Sequence, residues 1–331
     1  MKKKKIKLAI IITICIFLVI ISLTIGSYEL TVNDIIKIIL GKSESAIKRN
    51  VFYNLRLPRV IMGLWAGLIL GIAGSVYQVI FANPLASPDL TGVAKGASLG
   101  AAFAIVVAEG TLFEKTLGAF GFALGSLFLV LFLVKSAGGK QITTYILAGI
   151  IISALADAGI MILKYMADPL SELASIEFWT MGSFAAITLD KTLLAIASSI
   201  IPFGLICFMH RPIVILSLGD ENARYIGLNA RVWRMVILLL TTWMVASVIA
   251  ITGVIAFVGL IAPHITYLIL KKRTGCFYIT SGLIGAIIIV FADMLSRTLI
   301  SGIELPLSVF TILFSAPLLL FWMYRQRGKI G

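Results

Sequence analysis

Apolar residues in this chain gather in long unbroken runs separated by short polar breaks. Ten runs stand out, at about 8–27, 60–81, 94–109, 115–134, 142–166, 190–209, 231–251, 254–270, 276–296 and 306–324. Most approach the ~20 residues that an α-helix needs to cross the hydrocarbon core of a bilayer. No water reaches the backbone at that depth, so open strands are excluded and the runs must be helices. The pattern predicts an all-α, polytopic membrane protein with about ten transmembrane helices. The first run follows Lys2, Lys3, Lys4, Lys5 and Lys7, as a signal peptide would. Its apolar part is long for such a leader and no small-x-small cleavage site precedes Tyr28, so it reads as a retained span.

Composition agrees. Hydrophobic residues make up 60% of the 331 and charged ones 13%, more apolar than a soluble core requires. The net charge of +13 is scattered over the ends of the runs, with no basic, aromatic-laced soluble face. That excludes nucleic acid as a partner and leaves membrane lipid. Basic residues favour the cytoplasmic side of short loops. An inside N-terminus places Lys135, Lys140, Arg211, Arg224, Arg231, Arg234, Lys271, Lys272, Arg273, Arg325, Arg327 and Lys329 inside with the first lysines, so both termini are expected in the cytoplasm of a multi-pass cell-membrane protein. Cys15, Cys207 and Cys276 show no paired spacing, and His210 and His264 are isolated, so no disulfide framework and no metal site is expected. His264, directly after Pro263, is expected in a structural turn. The nearest approach to a nucleotide-binding loop, Gly139-Lys140, is followed by Gln141 and lacks the upstream glycine. The chain is therefore not expected to be an enzyme or to hydrolyse ATP itself.

Several features exceed what spanning requires. Gly63, Gly67 and Gly71 repeat every four residues, and Gly92, Gly96 and Gly100 do so again. Such ladders let helix backbones approach closely, and tight packing is their simplest reading. Between them, Asn83-Pro84-Leu85-Ala86-Ser87-Pro88-Asp89 carries two prolines that cannot continue a helix. Non-helical backbone between two packed spans is tolerated where protein buries it or where it lines an aqueous path, as a gate would. Gln78 and Asn83 are polar at membrane depth and need a partner or water. Asp157 falls near the middle of the fifth run, where a carboxylate costs about 2.5–3.5 kcal/mol. It either lines a path or pairs with Gln78 or a hydroxyl. In the loop at 216–231, Ser217 with Asp220 resembles a helix-capping pair, and Gly227 divides the segment into two short helices. Its mixture of exposed charge with Ala223, Tyr225, Ile226 and Leu228 suits docking into a partner's groove.

Six motifs then occur in one order: RLPR at 56–59, a GxxxGxxGxxxQ spacing ending in NPLASPDLTG, WTMGSF at 179–184, LSLGDENARYIGLNA at 216–230, IAFVGLIAPHI at 255–265, and ADMLSRT followed by ELP at 292–306. Over nearly the whole chain they resemble the FecCD family, permease subunits of ATP-driven importers for ferric siderophores, haem and cobalamin. The resemblance implies a single permease domain over 1–331 with type II ABC importer architecture. It also implies a second permease, the same or related, two cytoplasmic ATPase subunits, and an extracytoplasmic binding protein. ATP and Mg would sit on the ATPases, leaving this chain without a cofactor. A ferric siderophore is the implied cargo, with haem or cobalamin as alternatives. By the same resemblance Arg56, Arg59 and Arg297 lie at the outer mouth and meet acidic residues of the binding protein, against the plainer reading that they pair with Asp293, Glu304 or lipid headgroups. Gly219, Glu221, Ala223, Arg224 and Gly227, within a coupling loop at about 211–231, would contact the ATPase. Asn83 and Leu85, backed by Thr143 and Thr144, would form the inner gate, with Gln78 and Asp157 along the path. The chain departs from the family pattern at Tyr267, Ser308 and Ser315.

Two other classes fit less. An ion-coupled secondary transporter also uses broken helices and midplane polar groups, but needs neither a docking loop nor a basic outer triad. A membrane hydrolase needs a base beside its nucleophile, and Ser98, Ser126 and Ser153 have no suitably placed histidine.

Overall fold

The computed structural model describes residues 2–26, 28–43, 45–108, 110–138, 142–271, 276–300 and 302–327. Gly139, Lys140 and Gln141 of the nucleotide-loop comparison lie outside the described residues, as do Lys272, Arg273 and Lys329 of the charge count. All ten predicted runs are helices. α1 (Lys2–Thr24) leads through α2 (Val32–Ile39), α3 (Ala46–Asn50) and a π-helical stretch, Val51–Arg56, into α4 (Leu57–Ile80). A 3₁₀ turn at Pro88–Thr91 opens α5 (Val93–Val106), and α6 (Leu112–Ser136), α7 (Ile142–Met166), α8 (Glu172–Thr180) and α9 (Leu189–Phe208) follow. Two short helices, α10 (His210–Leu216) and α11 (Asp220–Tyr225), precede α12 (Ala230–Thr252), α13 (Val258–Leu270), α14 (Cys276–Ser296) and α15 (Leu307–Arg327).

Among the described residues, seven helical stretches are long and apolar enough to cross a membrane, and α5, α13 and most of α15 are shorter apolar helices. The predicted runs at 142–166 and 276–296 coincide with α7 and α14 to the residue. Local chemistry sets several boundaries. Thr111 and Glu114 form a reciprocal capping box at the start of α6, and Thr31 and Asp34 form one at α2. At α2, Lys48 donates to the Asp34 carboxylate at 2.7 Å. With Thr31, it holds that carboxyl down at about 2. His264 departs from expectation: it lies inside α13, not in a turn, and its Nδ1 sits 2.7 Å from the Leu260 carbonyl one turn earlier.

The chain divides into two compact units, and the division falls inside α4. The first comprises Met1–Gly71, Ser183–Leu193 and Ile255–Gly331. Here α1, α13 and α14 share a core of Ile11, Ala262 and Ile284, and the first part of α4 runs antiparallel to α14. Gly63 faces Val290, Gly67 faces Gly285 and Ala286, and Gly71 faces Ser281 and Gly282. A side chain on Gly67 would strike the Ala286 backbone, so this glycine ladder is the contact that lets the helices touch. Ser281 Oγ donates to the Gly71 carbonyl at 2.7 Å across the same seam. Ser308, where the family pattern has glycine, accepts from the Ala256 amide at 3.1 Å.

The second unit comprises Ile72–Gly182 and Leu194–Val254. The second ladder works as the first does: Gly100 lies against Gly118, and Gly96 against Phe122 and Ser126, on antiparallel α6. On its other side α5 runs parallel to α7, with Gly92 beside Ile152 and Ser153. Tyr77, Phe81, Ala86, Leu127, Tyr145 and Leu238 belong to one buried apolar cluster of this unit.

Candidate functional site

In the first unit, the antiparallel packing of α4 on α14 puts the start of one beside the end of the other, and the predicted arginines converge there. Arg59 is forked onto Asp293 through Nε (3.2 Å) and Nη2 (2.9 Å), and onto Glu304 at 2.6 and 3.0 Å. Arg297, one residue past α14, donates to the Ser22 hydroxyl at 2.6 Å and to its carbonyl, with Asp293 3.5 Å away. Arg56 donates to the carbonyls of Leu23, Ile25 and Tyr28, tying down the chain that leaves α1. All three arginines are at least nine-tenths buried. The expected internal partners are present for two of the three: α14 delivers Asp293 to Arg59 and Arg297, and the loop before α15 delivers Glu304 to Arg59, whereas Arg56 is held by main-chain carbonyls. Glu304, whose side chain is one-third exposed, carries this cluster to the surface.

In the second unit, α4 ends with Ala82 in the left-handed region (φ +44°). The Asn83 carboxamide then accepts from the Leu85 amide at 2.9 Å, forming a tight Asx turn. Leu85 is exposed, while Ala86, Ser87 and Pro88 are buried. The Phe81 ring packs edge-on against Tyr145, centroids 5.9 Å apart, so the proline turn and the first turn of α7 are held together. Thr143 and Thr144 occupy that first turn. The expected two layers, Asn83-Leu85 and Thr143-Thr144, therefore lie on elements that touch through one aromatic contact. Deeper in, Tyr77 Oη lies 3.2 Å from the Thr91 hydroxyl and 3.1 Å from that of Thr242. Gln78 is buried beside it in sequence.

Because α5 begins beside Ile152 and Ser153, the chain from Ala82 to Gly92 runs along the first half of α7 without forming an α-helix. About one turn further along α7, Asp157 meets Lys95, in the first turn of α5, at 2.8 Å. The expectation named Gln78 or a hydroxyl as the partner of Asp157. The ion-pair partner is Lys95, because parallel packing of α5 on α7 sets the two residues side by side. Both side chains are 40–50% exposed, an arrangement that bare lipid does not tolerate and that a water-filled or protein-covered face does.

At another edge of the same unit, α11 is bracketed by Gly219 (φ +98°) and Gly227 (φ +82°), each in a backbone region that favours glycine. The predicted capping by Ser217 does not occur. Ser217 Oγ donates back to the Val214 carbonyl at 2.6 Å, and Gly219 occupies the N-cap. Asp220 is engaged by Arg234, at 2.6 and 3.2 Å. Nor does a second short helix follow Gly227, since Ala230 already begins α12. Ala223 is fully buried and anchors α11. Glu221, Arg224, Tyr225 and Ile226 are exposed, Tyr225 at 88%. A cavity of about 540 Å³ lies beside α11, lined by Tyr145, Asp220, Arg224, Asn229, Arg231 and Arg234 among others. The part played by Arg234 was not legible beforehand, because its partner lies 14 residues away on a different helix.

The model of the FecCD transport family matches residues 14–325. The chain is 34% identical over 99% of its length to an ABC transporter permease protein of Methanocaldococcus jannaschii, MJ0087, covering 97% of that protein. It is 33% identical to the hemin transport system permease HmuU of Yersinia pestis, over 85% of both chains. The Fe(3+)-citrate import permease YfmE of Bacillus subtilis is 32% identical over 99% of this chain and 98% of its own. A solved structure described as an inward-facing metal-chelate type ABC transporter superposes with a TM-score of 0.88 at 30% identity, over 97% of this chain and 99% of that one.

Proposed function

Because the chain belongs to the FecCD transport family and is an ABC importer permease, we propose that it carries a ferric siderophore inward across the cell membrane. The cargo is received from an extracytoplasmic binding protein. Haem or cobalamin, moved by the same mechanism, is the second choice. The Fe(3+)-citrate relative, alike over almost the full chain, supports an iron chelate. Two copies of this permease, or this chain with a related one, would enclose the path, and both termini would lie in the cytoplasm. ATP and Mg would be held by two separate ATPase subunits.

The observation that carries the reading is α11. It is a six-residue helix pinned from behind by Ala223 and by the Asp220–Arg234 pair, with Glu221, Arg224, Tyr225 and Ile226 turned outward. A solvated connector has no use for exposed tyrosine and isoleucine beside paired charges. A helix pressed into a motor subunit's groove does. At the opposite end of the mechanism, the buried arginine cluster would fix the surface that the binding protein meets, with Glu304 rather than the guanidinium groups at that surface. The Asn83–Leu85 turn would be the inner gate, with Thr143 and Thr144 behind it. Small polar residues on a short linker permit two packings close in energy better than interlocked leucines do.

The test is ligand identity. The binding protein that co-purifies with this chain should show saturable fluorescence quenching by a ferric siderophore and none by haem, cobalamin or molybdate. Quenching by another member of that set, with none by ferric siderophores, contradicts the cargo assignment and leaves the permease assignment in place.

A further inference from the structure

We infer that Tyr77 and Thr242 are positioning residues for the gate: through a buried chain of hydroxyls, α12 holds the proline turn in place and passes on the movement of α11. This rests on the reading of α11 as the motor contact and of the Asn83–Leu85 turn as the inner gate. Tyr77 Oη lies 3.1 Å from the Thr242 hydroxyl and 3.2 Å from that of Thr91, and the Thr91 hydroxyl donates to the Pro88 carbonyl at 2.8 Å. That last bond fixes the direction of the others. A hydroxyl carries one proton, so Thr91, which gives its own to Pro88, accepts from Tyr77, and Tyr77 accepts from Thr242. The chain runs from Thr242 through Tyr77 and Thr91 to the Pro88 carbonyl, with each hydroxyl donating once. Tyr77, Thr91 and Thr242 are each no more than 1% exposed, so water does not compete for these bonds, and breaking one leaves a buried group unmatched.

The two ends of the chain give it a role. One end is the non-helical stretch, where Thr91 closes the 3₁₀ turn Pro88–Thr91 just after the Asn83–Leu85 turn. The other end is α12, which also carries Arg234, the residue that grips Asp220 at the start of α11. Thr242 lies about 12 Å further along that helix. No proline or glycine interrupts the stretch between them, so nothing there offers a hinge. A shift of α11 is thus delivered by α12 to Tyr77, and by Tyr77 to the turn. The alternative is a purely packing role for Tyr77, whose ring meets Phe81 with centroids 5.7 Å apart. The two roles separate chemically, because Tyr77→Phe keeps the ring and removes only Oη.

The test follows the turn itself and needs no cargo. Cys207→Ser and Cys276→Ser remove the two exposed thiols and leave only buried Cys15. In that background Leu85→Cys, at an exposed position of the turn, is labelled with a water-soluble maleimide. The full permease is assembled with its ATPase partner in nanodiscs, without nucleotide or with ATP and vanadate, and variants are compared at equal amounts of trapped nucleotide. With Tyr77 and Thr242 intact, the labelling rate should differ about tenfold between the two states. Tyr77→Phe and Thr242→Val should each shrink that difference to about twofold or less, and Thr242→Ser, which keeps the hydroxyl, should restore it. Where Tyr77→Phe fails to assemble, the two Thr242 variants decide alone. An undiminished difference in Tyr77→Phe or Thr242→Val, or equal behaviour of Thr242→Ser and Thr242→Val, overturns the inference and leaves the gate reading in place. No nucleotide-dependent labelling with Tyr77 and Thr242 intact removes the gate reading and the inference with it.

Discussion

Lys95 and Asp157 are joined at 2.8 Å between the first turn of α5 and the middle of α7, just past the point where the chain from Ala82 to Gly92 gives way to α5. The pair does two things at once. It neutralises the lysine at a helix N-terminus, where a positive charge opposes the helix dipole. It also neutralises the carboxylate that α7 carries within an apolar run. Breaking it from either side leaves one charge without its partner.

Asp157→Asn and Lys95→Met should each therefore destabilise the protein by about 0.5–1 kcal/mol, the range of a pair this exposed. The double variant should lose less than the two single losses added together. Thermal unfolding of the four proteins in one detergent gives the coupling energy, and additive losses would show that the contact has no energetic weight.

Glycine substitutions should divide sharply by position. At Gly67 a Cβ meets the Ala286 backbone, and at Gly100 it meets Gly118, whereas at Gly121 nothing lies within 4 Å. Gly67→Val and Gly100→Val should cost several kcal/mol, or about 2–4, through forced separation of the helices. Gly121→Ala should be neutral or slightly stabilising, since alanine is the better helix former. The yield of folded protein in membranes measures this, and a well-folded Gly67→Val would remove the close-approach account.

Much of this was legible in the sequence, for physical reasons. Spanning helices need long apolar runs, so α7 and α14 could be delimited to the residue, and glycines at four-residue spacing announced close helix contact. The identity of the contacting helix was not legible: nothing in Gly67 names Ala286, and nothing in Lys95 names Asp157, because those pairings follow from three-dimensional packing. The connectors α2, α8 and α10 were missed because segments this short lack a run long enough to register. The arginines were found by motif, but their burial was not, since the sequence shows a charge without showing which side chains surround it.

Arg59 is the most heavily bonded of these arginines, and Asp293 beneath it is 1% exposed. Arg59→Met should cost about 3 kcal/mol by leaving buried Asp293 with only its longer contact to Arg297. Arg59→Lys should fall between the parent and Arg59→Met, because an ammonium supplies charge without the two-pronged geometry that spans Asp293 and Glu304. Chemical or thermal unfolding distinguishes the three; equal stability of Arg59→Met and the parent contradicts the clamp.

α11 should behave in the opposite way. Tyr225→Ala and Glu221→Ala alter exposed side chains and should change stability by no more than about 0.5 kcal/mol. Uptake in the assembled complex should nevertheless fall by about tenfold or more, as expected for loss of an interface anchor. Gly219→Ala and Gly227→Ala should impair both, because alanine is strained at these positive φ values. Normal uptake by Tyr225→Ala would indicate that α11 is only a connector.

The central claim is that this chain passes a ferric siderophore inward under the drive of a separate ATPase. The direct measurement is uptake of ⁵⁵Fe-siderophore into proteoliposomes that contain the permease and its ATPase partner, with loaded binding protein outside and ATP inside. The account predicts accumulation that requires ATP, the ATPase and the binding protein, persists in the presence of an ionophore, and fails with haem or cobalamin in place of the siderophore. Accumulation that proceeds without the ATPase and collapses with the ionophore would contradict it.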